Sequence, residues 1–294
     1  MPLIPIINVP DEELLLFHSR RDSVLAHFYE PAPGVFIAES SKVALRALEA
    51  GYEPVSLLVE DAQLAHDAAG LLELLPDLNV YVAEHERFQE IAGYPMTRGV
   101  LCAFRRKPFL SAADVLTPLL QESKDTSGQT LPPTIQGTPD AEGHLPKTHI
   151  RAAVLENVVN PANTGSIFRN AAALGIDAII LGNGTCDPLS RRCLRVSMGT
   201  VFQVPWAKDP HWMSALKALG FETAAMALSD RSVPLTHPAL KEADRLALVL
   251  GNEGDGLPPE VIGQCSFTVR IPMYHGVDSL NVSAASAIAF WELR

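Results

Sequence analysis

A chain of 294 residues exceeds the usual length of one compact domain, so two hydrophobic cores are expected. Hydrophobic residues at 47% and charged residues at 19% exclude a disordered chain, and no run approaches the apolar length of a membrane-spanning helix. The net charge of −11 excludes a protein that holds nucleic acid by a broad basic field, because neutralising phosphate needs Lys and Arg.

In chain order, no basic leader precedes the opening MPLIPIINVPDEELLL, which points to a soluble, cytoplasmic protein. Apolar residues recur at helical spacing over 8–28, and GVFIAES (34–40) reads as a strand running into a helix at 41–50. VSLLVE (55–60), NVYVAE (79–84) and GVLCAF (99–104) read as strands, separated by helices over 62–75 and 85–91. This alternation predicts a first α/β domain over 1–107. It also holds most of the acidity: residues 1–110 carry nine Lys and Arg against sixteen Asp and Glu, whereas 150–294 carry twelve against thirteen. Periodicity is lost in the Ser-, Thr-, Gly- and Pro-rich stretch that follows, so 108–147 reads as a flexible linker or insertion.

A second α/β domain is predicted over 148–294. RAAVLEN (151–157), AIILG (178–182), VFQV (201–204), TAAMAL (223–228), LALVLG (246–251) and FTVRI (267–271) read as its strands. Helices are expected after Asn163, over 191–197, from His211 and, as an amphipathic closing helix, over 283–293. The strands are nearly continuous apolar runs, as in a parallel sheet buried on both faces, where ligands bind at the loops beyond the carboxyl ends of strands. Arg191, Arg192 and Arg195 form a local basic cluster that could touch phosphate or be a solvated face. Cys102, Cys186, Cys193 and Cys265 form no C-x-x-C pair and read as buried thiols, with neither a disulfide framework nor a metal site.

Three loops of the second domain stand out. In ENVVNPANTGSIFRNAAALG (156–175), Asn157, Asn160 and Asn163 lie between strand and helix, with Asn163 placed to cap the helix and Arg169 one to two turns along it. In LALVLGNEGDGLP (246–258), Gly251, Gly254 and Gly256 surround Glu253 and Asp255; the spacing is not that of a dinucleotide fingerprint, and two carboxylates suit a small, partly cationic ligand better than a phosphate. In VRIPMYHGVDSLNVSAASAIAFWELR (269–294), Ser279, Leu280 and Asn281 precede a helix whose N-terminus offers free N–H donors.

Taken together and in this order, the three loops resemble the three motifs of the SpoU/TrmH family (SPOUT superfamily) of RNA 2′-O-ribose methyltransferases. N-x-x-N-x-G-x-x-x-R stands as Asn160, Asn163, Gly165 and Arg169, L-x-G-x-E-x-x-G-L runs through Gly251, Glu253, Gly256 and Leu257, and I-P-M…S-L-N-V-S is intact at 271–283. The match covers about half the chain, and RVSMGTVFQVP (195–205) resembles the region between the first two motifs. The first domain is similar to the family's substrate-binding domain, itself similar to kink-turn-binding ribosomal proteins, except that the family often has Glu-Gly where this chain has Glu39–Ser40.

The resemblance implies a parallel-sheet α/β domain with a trefoil knot and a homodimer. It also implies a metal-free transfer of methyl from S-adenosylmethionine to a ribose 2′-hydroxyl of RNA, ribosomal RNA in preference to transfer RNA. A catalytically silent RNA-binding member of the family is the other reading. Carried over residue by residue, Gly251, Ile271, Leu280 and Leu228 bind S-adenosylmethionine, with Ala227 beside them. Arg169 holds phosphate and developing oxyanion charge, Asn163 and Glu253 position it or the ribose, and Ser279 and Asn281 shape the site.

Overall fold

The computed structural model describes residues 3–8, 14–18, 34–96, 98–122 and 149–294, and these fall into two units: Met1–Pro108 with Asp187–Gln203, and Phe109–Cys186 with Val204–Arg294. The helix expected over 8–28 lies largely outside the described residues; within it, 14–18 form a turn that buries Leu14, Leu16 and Phe17.

The first unit is built on a five-stranded sheet of β1 (Leu3–Pro5), β2 (Val35–Glu39), β3 (Pro54–Glu60), β4 (Val80–Ala83) and β5 (Val100–Arg105), in the order β1-β4-β3-β5-β2. β1, β4 and β3 run parallel, while β5 is antiparallel to both β3 and β2. Helices α1 (Ser41–Glu49), α2 (Ala69–Leu74) and α3 (His85–Ala92) alternate with the strands. The helix expected over 62–75 is shorter than its pattern: Asp61–Gln63 is a 3₁₀ turn, and α2 starts only at Ala69.

The segment Asp187–Gln203, read from sequence as part of the second domain, packs into this unit. Arginines tie it there. Arg106 donates to Asp187 (2.5 Å), Arg46 donates to the Met198 carbonyl (2.6 Å), and Arg191 donates through Nε to the buried Glu39 carboxylate at 2.7 Å, with Arg195 on its other oxygen at 3.4 Å. Both of these last guanidinium groups lie over the Tyr94 ring, whose phenol is pushed up to about 12 by burial first and the Glu39 carboxylate second. The 191–195 cluster is thus neither a free phosphate site nor simply a solvated face: Arg191 is 8% exposed, and Arg192 alone of the three is exposed without an ion pair among the described residues. VFQV, expected as a strand, is a 3₁₀ turn at Thr200–Phe202, and its Phe202 ring packs on Phe36 (5.7 Å) and Tyr52 (5.3 Å).

The second unit is a seven-stranded sheet in which every pairing is parallel. Its strands are β6 (Ile150–Leu155), β7 (Ala178–Leu181), β8 (Trp206–Lys208), β9 (Glu222–Met226), β10 (Val233–Pro234), β11 (Arg245–Leu250) and β12 (Phe267–Arg270), in the order β10-β12-β9-β11-β6-β7-β8. β6, β7, β11 and the middle of β9 are buried on both faces, which is why they read as apolar runs. The helices are α4 (Ala112–Glu122), α5 (Pro161–Leu174), α6 (Trp212–Ala218), α7 (Pro238–Glu242), α8 (Pro259–Gln264) and α9 (Val282–Leu293). α4 falls inside the stretch read as linker: Ala112 and Leu116 are buried in this unit's core, so part of that stretch is an ordinary packed helix. α9 is not amphipathic as expected, since Ile288 and Trp291 are exposed while Phe290 and Leu293 are buried.

A buried cation closes the unit. Arg151 on β6, 4% exposed, donates to the carbonyls of Leu293 (2.8 Å), Ala243 (2.7 Å) and Lys241 (3.0 Å), binding the end of α9 and the end of α7 to the first strand. Positive charge there also meets the negative end of the α9 dipole. All four cysteines are free thiols, with Cys102 and Cys193 buried and Cys186 and Cys265 half-buried. No helix among the described residues is long and apolar enough to cross a membrane.

Ser40 holds φ 77° and ψ 150°, a region that only glycine enters without strain. Ser40→Gly is expected to raise stability by about 1 kcal/mol, a higher urea midpoint at unchanged slope being the check. A lower midpoint would contradict the strain.

Candidate active site

The order of the second sheet puts its topological switch between β6 and β11: the chain builds β7 and β8 on one side of β6 and places β11, β9, β12 and β10 on the other. Because all strands are parallel, the loops after β6, β9, β11 and β12 leave from the same edge, the position where open α/β sheets bind ligands. The three loops singled out from the sequence follow β6, β11 and β12.

The first loop begins with Glu156, whose buried carboxylate accepts from the Trp212 indole N–H at 2.8 Å. Asn157 turns the chain at φ 58°, a conformation asparagine tolerates better than most residues. The cap of α5 is Asn160, not Asn163: the Asn160 side chain accepts from the Ala162 N–H at 3.0 Å, with Pro161 at the first helical position. That leaves Asn163, in the first turn and buried, free for another task.

The second loop doubles back sharply. Asn252 and Gly256 exchange two backbone hydrogen bonds of 3.1 Å each, and a Cβ on Gly251 would lie 2.7 Å from the Gly256 carbonyl. Only glycine fits at 251 without moving the loop. The Asn252 side chain holds the turn by accepting from the Gly254 N–H (2.7 Å), and it donates to the Asn157 carbonyl (3.0 Å) in the first loop.

The third loop leads into α9, where Asn281 is the cap and accepts from the Ser283 N–H (3.0 Å) and hydroxyl (2.6 Å). Its amide also donates to the Asn163 side-chain oxygen at 3.1 Å, while Asn163 in turn donates to the Glu253 carboxylate. One relay, Asn281 to Asn163 to Glu253, therefore joins all three loops. A second tie runs one face further along, where Asn170 of α5 donates to the Ser283 carbonyl (2.8 Å) and to the Ser286 hydroxyl (3.0 Å).

Beyond the ends of β9, β11 and β12 the loops that follow those strands enclose a cavity of about 370 Å³, within the usual range for small-molecule sites. Gly251, Ile271, Leu280, Leu228, Glu253 and Ser279 all line it, as does Ala227. Neither Asn163, buried, nor Asn281, exposed, lines it; both are tied to it through the hydrogen bond from Asn163 to Glu253. Arg169 does not line the cavity: it is exposed on α5 and makes no hydrogen bond or ion pair among the described residues. The lining also includes Asp255, which the sequence sets beside Glu253, and Asp278, which it does not single out, so three carboxylates and no Lys, Arg or His face the space. Among the described residues no cluster of His, Cys, Asp and Glu could hold a metal ion. An apolar slot with backbone at strand ends and excess negative charge suits a flat heteroaromatic ligand that carries a cation.

Residues 151–291 match the SpoU rRNA Methylase family. An uncharacterized tRNA/rRNA methyltransferase of Mycobacterium bovis is 36% identical over 263 residues, 87% of this chain and 79% of that protein. The chain belongs to the SpoU rRNA methylase family. A 23S rRNA (guanosine(2553)-2′-O)-methyltransferase, RlmP of Bacillus subtilis, is 31% identical over 157 residues, 51% of this chain and 62% of its own. Among solved structures, the AdoMet-bound rRNA methyltransferase from Sinorhizobium meliloti has the same fold, with a TM-score of 0.73 at 24% identity over 100% of this chain and 97% of that one.

In this member of the SpoU family the relay gives Asn163 a role that an acid cannot fill. Asn163→Asp removes the donor and sets two carboxylates against each other. Hydrogen exchange at the Gly254 and Asp255 amides is expected to speed up by about tenfold, equivalent to ~1.4 kcal/mol of lost local stability. Exchange at the wild-type rate would show that the relay does not hold the loop.

Proposed function

We propose that this protein is an S-adenosylmethionine-dependent RNA 2′-O-ribose methyltransferase acting on ribosomal RNA. The observation that carries the reading is the cavity beyond β9, β11 and β12, lined by Leu228, Gly251, Ile271 and Leu280 and tied to the first motif loop through the Asn163–Glu253 hydrogen bond. The match to the SpoU rRNA Methylase family and the 23S ribosomal RNA specificity in the name of the Bacillus relative support it. The residues present fit the cofactor: the apolar walls suit adenine, strand-end backbone suits its ring nitrogens, and the three carboxylates suit a sulfonium. When bound, S-adenosylmethionine supplies an electrophilic methyl group.

The chain's own part is to align a ribose 2′-hydroxyl with that methyl and to assist loss of the hydroxyl proton. Arg169 eases the second task without taking the proton, which passes to solvent water. A guanidinium stays protonated in proteins, so it acts as a charge that holds the neighbouring phosphate and stabilises the oxygen as it becomes anionic. Its exposure and lack of a partner among the described residues leave it available to an RNA strand. Glu253, held by Asn163, and Ser279, beside the Asn281 cap, form the ribose side of the cavity. The chemistry calls for no metal.

We assign RNA gripping to the first unit, in the manner of kink-turn-binding proteins, and a knotted path to the C-terminal segment of the second. The exposed Ile288 and Trp291 on α9 support a homodimer that covers them.

Arg169→Ala is expected to lower the rate of methyl transfer to ribosomal RNA by at least about a hundredfold, ~3 kcal/mol of transition-state stabilisation, while calorimetry gives S-adenosylmethionine affinity within a few-fold of wild type. Arg169→Lys should also be poor, because a point charge does not replace the planar fork. Near-normal turnover in the alanine variant would refute the role.

A further inference from the structure

Met273 and Asp278 both line the cavity, and between them the chain makes a tight turn over 274–277, closed by the Val277 N–H donating to the Tyr274 carbonyl at 3.2 Å. Its two central residues are both left-handed, His275 at φ 59° and Gly276 at φ 73°. Such a turn favours glycine or asparagine at both positions, so a histidine there carries strain. The turn raises Tyr274 clear of the surface: it is 84% exposed, the most exposed aromatic side chain among the described residues, and its phenol has no hydrogen-bond partner among them. The His275 ring lies beside it at 6.5 Å between centroids.

Folding alone does not account for an aromatic ring held out in water at the rim of a cavity. The charge around it limits what it can meet. With Glu253, Asp255 and Asp278 on the cavity wall and no basic residue among them, a phosphate arriving here is repelled, whereas the neutral face of a nucleobase is not. We propose that Tyr274 is a stacking platform for a base of the RNA strand whose ribose enters the cavity; this rests on the reading of the site as an RNA methyltransferase. The ring sets the position of the nucleotide without choosing its base, since every base has a π-face. Stacking near the cavity then adds to the phosphate contact assigned to Arg169 and to the grip assigned to the first unit.

The test is steady-state transfer of labelled methyl from S-adenosylmethionine to in vitro transcribed 23S ribosomal RNA by the full-length wild type, Tyr274→Ala and Tyr274→Phe, with calorimetric cofactor affinity and sedimentation of each. The expected result is a KM for RNA raised about tenfold in Tyr274→Ala, the loss of one base–aromatic stack, with kcat within about twofold and cofactor affinity unchanged. Tyr274→Phe, which keeps the ring, should match wild type. An unchanged KM in Tyr274→Ala, or a phenylalanine variant as impaired as the alanine one, would overturn the proposal while leaving the enzyme reading intact. So would a fall in sedimenting mass for Tyr274→Ala, which would assign the ring to contact with a second copy of the chain. A wild type inert toward ribosomal and transfer RNA alike would overturn the RNA reading, and stacking with it.

Discussion

A primary amide can donate from one side and accept on the other, and the site depends on Asn163 doing both. It lies at the start of α5, buried, and receives the Asn281 N–H while giving its own to Glu253. Its two partners are 90 and 118 residues away along the chain. A carboxylate at 163 could not donate, and a hydroxyl could not reach both partners. The relay is worth more than its two hydrogen bonds taken singly, because it fixes the loop carrying Glu253 and the cap of α9 against the same helix turn, and those loops form the cavity.

The rest of the second unit makes that meeting possible. Parallel strands send the loops after β6, β9, β11 and β12 to one edge, and the order of the strands makes β6 and β11 neighbours although 95 residues separate Leu155 from Leu250, its partner in register. Arg151 then holds the last residues of α9 to the first strand, so the helix that begins at the cavity also ends at a fixed point. The glycine at 251 is needed for a related reason. The chain must return within bonding distance of itself immediately after β11, and a side chain at that position would occupy the space of the Gly256 carbonyl.

Much of this was legible in the sequence because burial on both faces leaves a local trace. Strands such as β6, β7 and β11 are continuous apolar runs, and the three loops are conspicuous in Asn, Gly and Ser content. What escaped local reading depends on partners far away. VFQV carries a strand's apolar pattern, yet it is a turn whose phenylalanine fills a pocket between Phe36 and Tyr52. Spacing alone puts the cap at Asn163 although Asn160 does that work, since both fit the spacing and only tertiary contact separates them. The arginines at 191 and 195 looked like a basic patch because their counter-charge, Glu39, is about 150 residues earlier. Helix α4 was hidden by the polar, Pro-rich sequence that follows it.

An acidic chain that modifies RNA must hold its substrate at a few points and keep its negative charge where a cation binds. The three carboxylates in the cavity, the exposed Arg169 on α5 and the raised Tyr274 ring are consistent with that division. The most direct measurement is a map of 2′-O-methyl groups across ribosomal and transfer RNA from cells with the gene, without it, and complemented with wild type. The account predicts that a defined ribosomal nucleotide loses its ribose methyl when the gene is absent and regains it on complementation. Identical maps in all three would contradict it.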